Sequence, residues 1–202
     1  MHAWPFLAFK MRTFLGVAIP VSAQTTLKEL QESFKINGSG IRWVPPGKMH
    51  VTLKFLGDTT EFQREALVER LRDIARQQAP FAASLQEALG GFPSIQQPRV
   101  LWVGLEQGAM PLAALALRLE EESRRLGFKL EEHPFHPHVT LARIEAPILS
   151  RHIGEAAREI KWVVPPPWPV KALTFYSSQS GSETVRYDVL GDFSFTGKVL
   201  SK

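Results

Sequence analysis

Two of the six histidines in this chain are followed by the same three residues. His50-Val51-Thr52-Leu53 lies within PPGKMHVTLKFLG, and His138-Val139-Thr140-Leu141 within PFHPHVTLAR. Chance would place His-x-Thr-Leu twice in about one chain in several thousand, so the pair asks for duplication or shared chemistry. Imidazole is the side chain whose ordinary pKa lies near neutrality, and two of them can divide acid and base work. Two threonine hydroxyls can donate hydrogen bonds to the non-bridging oxygens of a phosphoryl group. The set suits attack at phosphorus with no metal and no protein nucleophile. The competing expectation is two core strands whose His-Thr faces are incidental.

Strands must position these groups. Side chains alternate across a strand, so His50, Thr52 and Lys54 are expected on one face, with Val51, Leu53 and Phe55 on the other. His138 and Thr140 likewise oppose Val139 and Leu141. Lys54 is expected at an edge or in solvent, though it could add positive charge beside His50.

The rest of the pattern supplies helices and further strands. Residues 13–19 read as a buried strand ended by Pro20, and Ser22 can cap a helix carrying Leu27, Leu30 and Phe34. After a loop at 37–40 and a stiff turn at 44–47 comes the first motif strand, 49–56. A helix with Leu67, Leu71, Ile74 and Ala75 follows, then a strand over 81–88. The order then repeats. Residues 100–105 read as a strand. Pro111 opens a helix with Leu112, Leu115, Ala116 and Leu119, closed by Gly127. The second motif strand is 138–144, followed by a helix face of Leu149, Ile153, Ala156, Ala157 and Ile160. Residues 163–169 form a rigid extended connector. Strands 170–177 and 185–195 end the pattern, the latter broken near Gly191. Arg12 precedes His50 by 38 positions and Arg99 precedes His138 by 39, at a repeat of 88. That period is too long for a solenoid and suggests an internal duplication. Half-repeats are expected at 11–90 and 99–195, with residues 1–10 an extension. The expected fold is α+β and bilobal: two pseudo-symmetric lobes, each with an antiparallel or mixed sheet covered by helices, and a cleft between them.

Composition sets bounds on function. The 202 residues suit one large domain or two small lobes. No apolar run approaches the ~20 residues of a membrane span, and residues 1–10 lack the features of a secretory signal. The absence of cysteine excludes disulfides, thiolate metal sites and a cysteine nucleophile. A net charge of +4 mildly favours anionic partners such as nucleic acid or phosphate esters. His133, His136 and His138 form H-x-x-H-x-H, but no acidic or cysteine ligand lies among them, and neighbouring Glu131 and Glu132 are expected to be solvated. No metal and no cofactor are expected.

At HVTLKFLG and FHPHVTLAR the chain resembles the two-histidine (2H) phosphoesterase superfamily. More narrowly, it resembles the RNA 2′,3′-cyclic phosphodiesterases, historically called 2′-5′ RNA ligases (the LigT-like group). Arg12-Thr13-Phe14-Leu15 with Ile19-Pro20, Arg99-Val100-Leu101-Trp102, and Tyr176-Ser177-Ser178 with Tyr187 are similar as well, so the resemblance covers about residues 11–195. It implies a bilobal fold and hydrolysis of a terminal 2′,3′-cyclic phosphate to a 2′-phosphate. It implies His50 as proton donor, His138 as proton acceptor, and Thr52 and Thr140 as phosphate-binding groups. Arg143 matches an arginine that often follows the second motif. Strict alternation puts Arg143 on the face opposite His138, so its participation requires a bend in the strand. The expected partners are RNA ends or nucleotides carrying a 2′,3′-cyclic phosphate, met by a cytoplasmic monomer. Reversible 2′-5′ ligation would use the same residues, and a non-catalytic RNA- or nucleotide-binding module would use the same fold. Two intact histidines favour an enzyme over that module.

Overall fold

The computed structural model describes residues 11–36, 39–180 and 185–198. The expected extension 1–10, and Asn37 and Gly38 of the expected loop, lie outside them. In chain order the elements are β1 (Met11–Ala18), α1 (Val21–Ser33), β2 (Ile41–Trp43), a single 3-10 turn (Pro46–Lys48), β3 (His50–Thr59), α2 (Glu61–Gln77), β4 (Phe81–Ala83) and β5 (Leu85–Phe92). There follow β6 (Val100–Leu105), α3 (Ala109–Arg125), β7 (His138–Ile144), α4 (Pro147–Glu159), β8 (Trp168–Val170), β9 (Ala172–Ser180) and β10 (Val185–Ser194).

The motif strands lie side by side at the centre. The main sheet runs β10-β9-β1-β3-β7-β6-β5, with β2 added along β7. Its pairings are antiparallel, and β3 meets β7 through Val51 opposite Val139. That one register pair joins two half-sheets, and β1 flanks it on one side as β6 does on the other. The lobes therefore take strands from both segments of the chain. β9 and β10, which follow the second motif, complete the lobe of β1 and β3. β5, which precedes β6, belongs to the lobe of β6 and β7.

Helices close the back face. Leu27 and Leu30 of α1, Leu67 and Leu71 of α2, and Leu112, Leu115 and Leu119 of α3 are buried in one core with Val51, Leu53, Val139 and Leu141. Helix α1 crosses to β7: the Gln31 side-chain amide donates to the Leu141 and Val44 carbonyls, 2.9 Å each. Helix α3 reciprocates by packing on β3, where Glu120 meets the Lys54 ammonium at 3.0 Å. Among the described residues no helix is long and apolar enough to cross a membrane.

Several local expectations are corrected. Ser22 does not cap α1; the helix starts at Val21 behind Pro20, whose fixed φ of −68° already sets the turn. Gly108 rather than Pro111 precedes α3, and it takes a left-handed φ of 85°. The strand expected over 81–88 is two strands. At Ser84 the chain leaves the small β4–β8 ribbon and bonds Glu106 and Gln107 instead. Residues 168 and 169 of the expected connector, with Val170, form the other strand of that ribbon. β2 is an added strand with too few residues to show a period. As expected, β10 is irregular beside Gly191, where its pairing with β9 shifts.

Candidate active site

Each motif histidine is held by the carbonyl two residues before it. His50 Nδ1 lies 2.7 Å from the Lys48 carbonyl, and His138 Nδ1 lies 2.7 Å from the His136 carbonyl. A carbonyl only accepts, so Nδ1 carries the proton in both rings and Nε2 is the atom left for chemistry. His50 Nε2 is also 3.0 Å from the Thr52 hydroxyl. Neutral His50 accepts there, whereas the imidazolium would donate.

Aromatic rings wall both imidazoles. Phe14 stacks on His50 with centroids 4.8 Å apart, and Tyr187 meets its edge at 5.5 Å. Tyr176 stacks on Phe14 at 4.8 Å and itself lies 5.7 Å from the His50 ring. Burial raises the Tyr176 phenol above its ordinary pKa, so it is neutral around pH 7. Across the cleft, Trp102 lies 5.8 Å from His138 and 4.5 Å from His136, while Phe92 meets His138 edge-on at 5.3 Å. Phe14 and Trp102 each stand two residues before a strand glycine, Gly16 and Gly104. A methyl on Gly16 would come within 2.8 Å of the Val51 carbonyl and lean on the His50 ring, so β1 passes the imidazole only because the side chain is absent. Gly90 does the same for Trp102, whose ring occupies the space a methyl would need. Sequence reasoning assigned no role to these aromatics. Their equal distance from paired glycines was the available signal.

Arg143 joins this face because β7 bulges. Leu101 pairs with Ala142 and Trp102 with Thr140, leaving Leu141 as an extra residue. One extra residue reverses the alternation, so Ala142 is buried and Arg143 exposed on the His138 side. The expected bend is therefore this bulge. β3 repeats it at Leu53, between Lys54 opposite Leu15 and Thr52 opposite Gly16. There the same reversal overturns the expectation for Lys54. Its side chain goes to the back and is fully buried, with Nζ 2.7 Å from the Lys129 carbonyl, 3.0 Å from Glu120 and 3.5 Å from Glu131. Glu131 is thus bonded rather than merely solvated. It also accepts from the Phe55 amide at 3.0 Å.

The electrostatics link the two strands. His50 is held below its ordinary pKa of 6.5 chiefly by burial, opposed by its bond to Lys48, with further lowering by His138 and Arg143. His138 is lowered first by burial, opposed by its bond to His136, and then by the charges of His136 and Arg143. The Arg143 guanidinium therefore acts on both rings. Among the described residues no carboxylate pairs with it. Nor does any group of three or more His, Asp or Glu among them form a metal site, and that includes His133, His136 and His138.

Two half-sheets related by an approximate dyad, each presenting a His-x-Thr face to one cleft, define the class of the two-histidine phosphoesterases. The chain belongs to the LigT-like phosphoesterase family, whose model matches it twice, over residues 17–102 and 103–187. It is 30% identical over 188 residues to an RNA 2′,3′-cyclic phosphodiesterase of Aquifex aeolicus, covering 93% of this chain and 98% of that one. A relative of the same name from Thermus thermophilus is 33% identical over 200 residues, covering 93% and 92%. Among solved structures, TT0787 of Thermus thermophilus superposes with a TM-score of 0.78 at 30% identity, over 94% of this chain and all (100%) of that one. E. coli LigT complexed with NADP+ gives 0.70 at 26% identity, over 93% and 98%.

Proposed function

We propose that this protein hydrolyses the 2′,3′-cyclic phosphate of RNA ends or nucleotides to a 2′-phosphate, with His50 as proton donor and His138 as proton acceptor. The observation that carries this reading is the matched fixing of both imidazoles by the carbonyl two residues back, which leaves two Nε2 atoms for the cleft. Water attacks phosphorus and His138 Nε2 takes its proton. The bond from phosphorus to O3′ breaks, and protonated His50 Nε2 supplies the proton that leaves a 3′-hydroxyl. The Thr52 and Thr140 hydroxyls and the Arg143 guanidinium hold the non-bridging oxygens, whose charge is concentrated in the transition state. The relatives named as RNA 2′,3′-cyclic phosphodiesterases support the substrate class. The complexes of E. coli LigT with NADP+ and with ATP support a cleft suited to nucleotides.

No step in this scheme uses a metal. Purified protein incubated with EDTA and adenosine 2′,3′-cyclic phosphate should form adenosine 2′-phosphate, identified by phosphorus NMR. Mainly 3′-phosphate would reverse the substrate orientation. Activity that appears only when a divalent ion is restored would remove the two-histidine mechanism.

A further inference from the structure

The dyad that matches the histidines does not match their surroundings. Five residues after each histidine, beyond the bulge, stand Phe55 and Arg143, both exposed. Eight residues before each stand Arg42 and Leu130, also exposed. Arg42 lies directly opposite Arg143 in the β2–β7 pairing, so their side chains share a face. On the other side, the 129–131 segment runs beside β3 through the Lys54–Lys129 and Phe55–Glu131 bonds. One end of the cleft therefore carries two guanidinium groups, and the dyad-related end carries an exposed phenylalanine and leucine.

Like charges directly opposite each other destabilise a sheet. Here one carboxylate, Glu145, meets Arg42 at 2.5 Å in an exposed ion pair. Two arginines against one glutamate leave a net positive charge. Arg42 stands one strand spacing, about 4.8 Å, outward from Arg143, and an arginine side chain extends its reach further. A ribonucleotide chain whose terminal phosphate sits at the histidines would bring its next phosphodiester to this end. The dyad-related end has no matching guanidinium pair, and its exposed Lys129 stands two residues from the carboxylate of Glu131.

We propose that Arg42, beside Arg143, binds the phosphodiester on the 5′ side of the cyclic end, so that the site favours RNA strands over cyclic mononucleotides. This rests on the hydrolytic reading above. Glu145 holds the guanidinium in place until the phosphate takes over.

The test compares kcat/KM for adenosine 2′,3′-cyclic phosphate with kcat/KM for an adenosine trinucleotide bearing the same terminus. The wild type should prefer the trinucleotide. Arg42→Ala and Arg42→Gln should lower the trinucleotide-to-mononucleotide ratio about tenfold, mainly through KM, the scale of one charge-assisted hydrogen bond. The dependence of trinucleotide binding on salt should flatten by roughly 0.7 in logarithmic slope, the share of one neutralised phosphate on a single strand. Arg42→Lys should keep part of the preference. A wild type indifferent to length, or a ratio unchanged in the Arg42 variants, overturns the subsite, as does an equal loss on both substrates. A wild type that hydrolyses neither substrate removes the hydrolytic reading itself.

Discussion

Each Nε2 in this cleft owes its freedom to a carbonyl that holds the other ring nitrogen, so the chemistry proposed for it depends on single residues. His50→Ala and His138→Ala should each lower turnover by ~10²–10⁴-fold, the usual contribution of a general acid or base. The double variant should fall by less than the product of the two losses, because the groups act together. Single-turnover rates on variants with unaltered circular dichroism check this, and near-normal turnover by folded His138→Ala would refute the pairing. The pH profile follows from burial and Arg143. Burial and nearby positive charge hold both imidazoles below 6.5, and the proposed catalysis needs one charged and one neutral. The kcat/KM optimum should therefore fall on the acid side of 6.5 and decline as pH rises, with limits that belong to the coupled pair. Arg143→Ala removes one of the charges that depress both rings. Its rate should drop while its optimum moves to higher pH, and an unmoved optimum would mean that the guanidinium does not act on the histidines. Stability runs in the opposite direction. Neutral buried histidine stabilises the fold fully above pH 6.5, and that contribution is lost as pH falls from 6.5 toward the depressed folded values.

Strand alternation made the His50–Thr52 and His138–Thr140 faces legible from the sequence, and it misplaced Lys54 for one physical reason. The same reason left Arg143 in need of a bend. A bulge is set by the neighbouring strand, β1 for Leu53 and β6 for Leu141, and neither leucine carries a local sign of it. Ser84 shows the same limit. Its residue type fits a continuous strand, and only its bonds to Glu106 and Gln107 reveal the change of sheet. The Lys54 bulge also has an energetic consequence. Its ammonium is bound by Glu120, Glu131 and the Lys129 carbonyl across the boundary between half-sheets. Lys54→Ala would leave Glu120, whose side chain is only 21% exposed, without its cation. Removing one partner of a buried pair costs about 3 kcal/mol or more. Lys54→Met keeps the packing volume and should cost less than Lys54→Ala. Urea melts of the two variants measure the difference, and equal losses would show that the charge, not the volume, is what β3 requires there.

At the scale of the molecule, the duplication was readable as an 88-residue spacing, but the exchange of strands between the halves was not, since nothing in β5 or β9 names its neighbour. The exchange predicts that neither half folds alone. Residues 1–107 lack the β9 that β1 pairs with, and residues 108–202 lack the β5 and β6 beside β7. Each fragment should show no cooperative melt by circular dichroism, while the two mixed should recover one. A sharp transition in either fragment by itself would contradict the interlocked sheet. A half-length ancestor built on this plan would have had a home for its last strand only in a sister molecule. Its cleft would then have existed only as often as two copies met, with both ends bound to be identical. Joining the copies on one chain replaces that encounter with an effective concentration near millimolar. It also frees the two ends to diverge, and Arg143 facing Phe55 across the dyad is what such a release leaves behind.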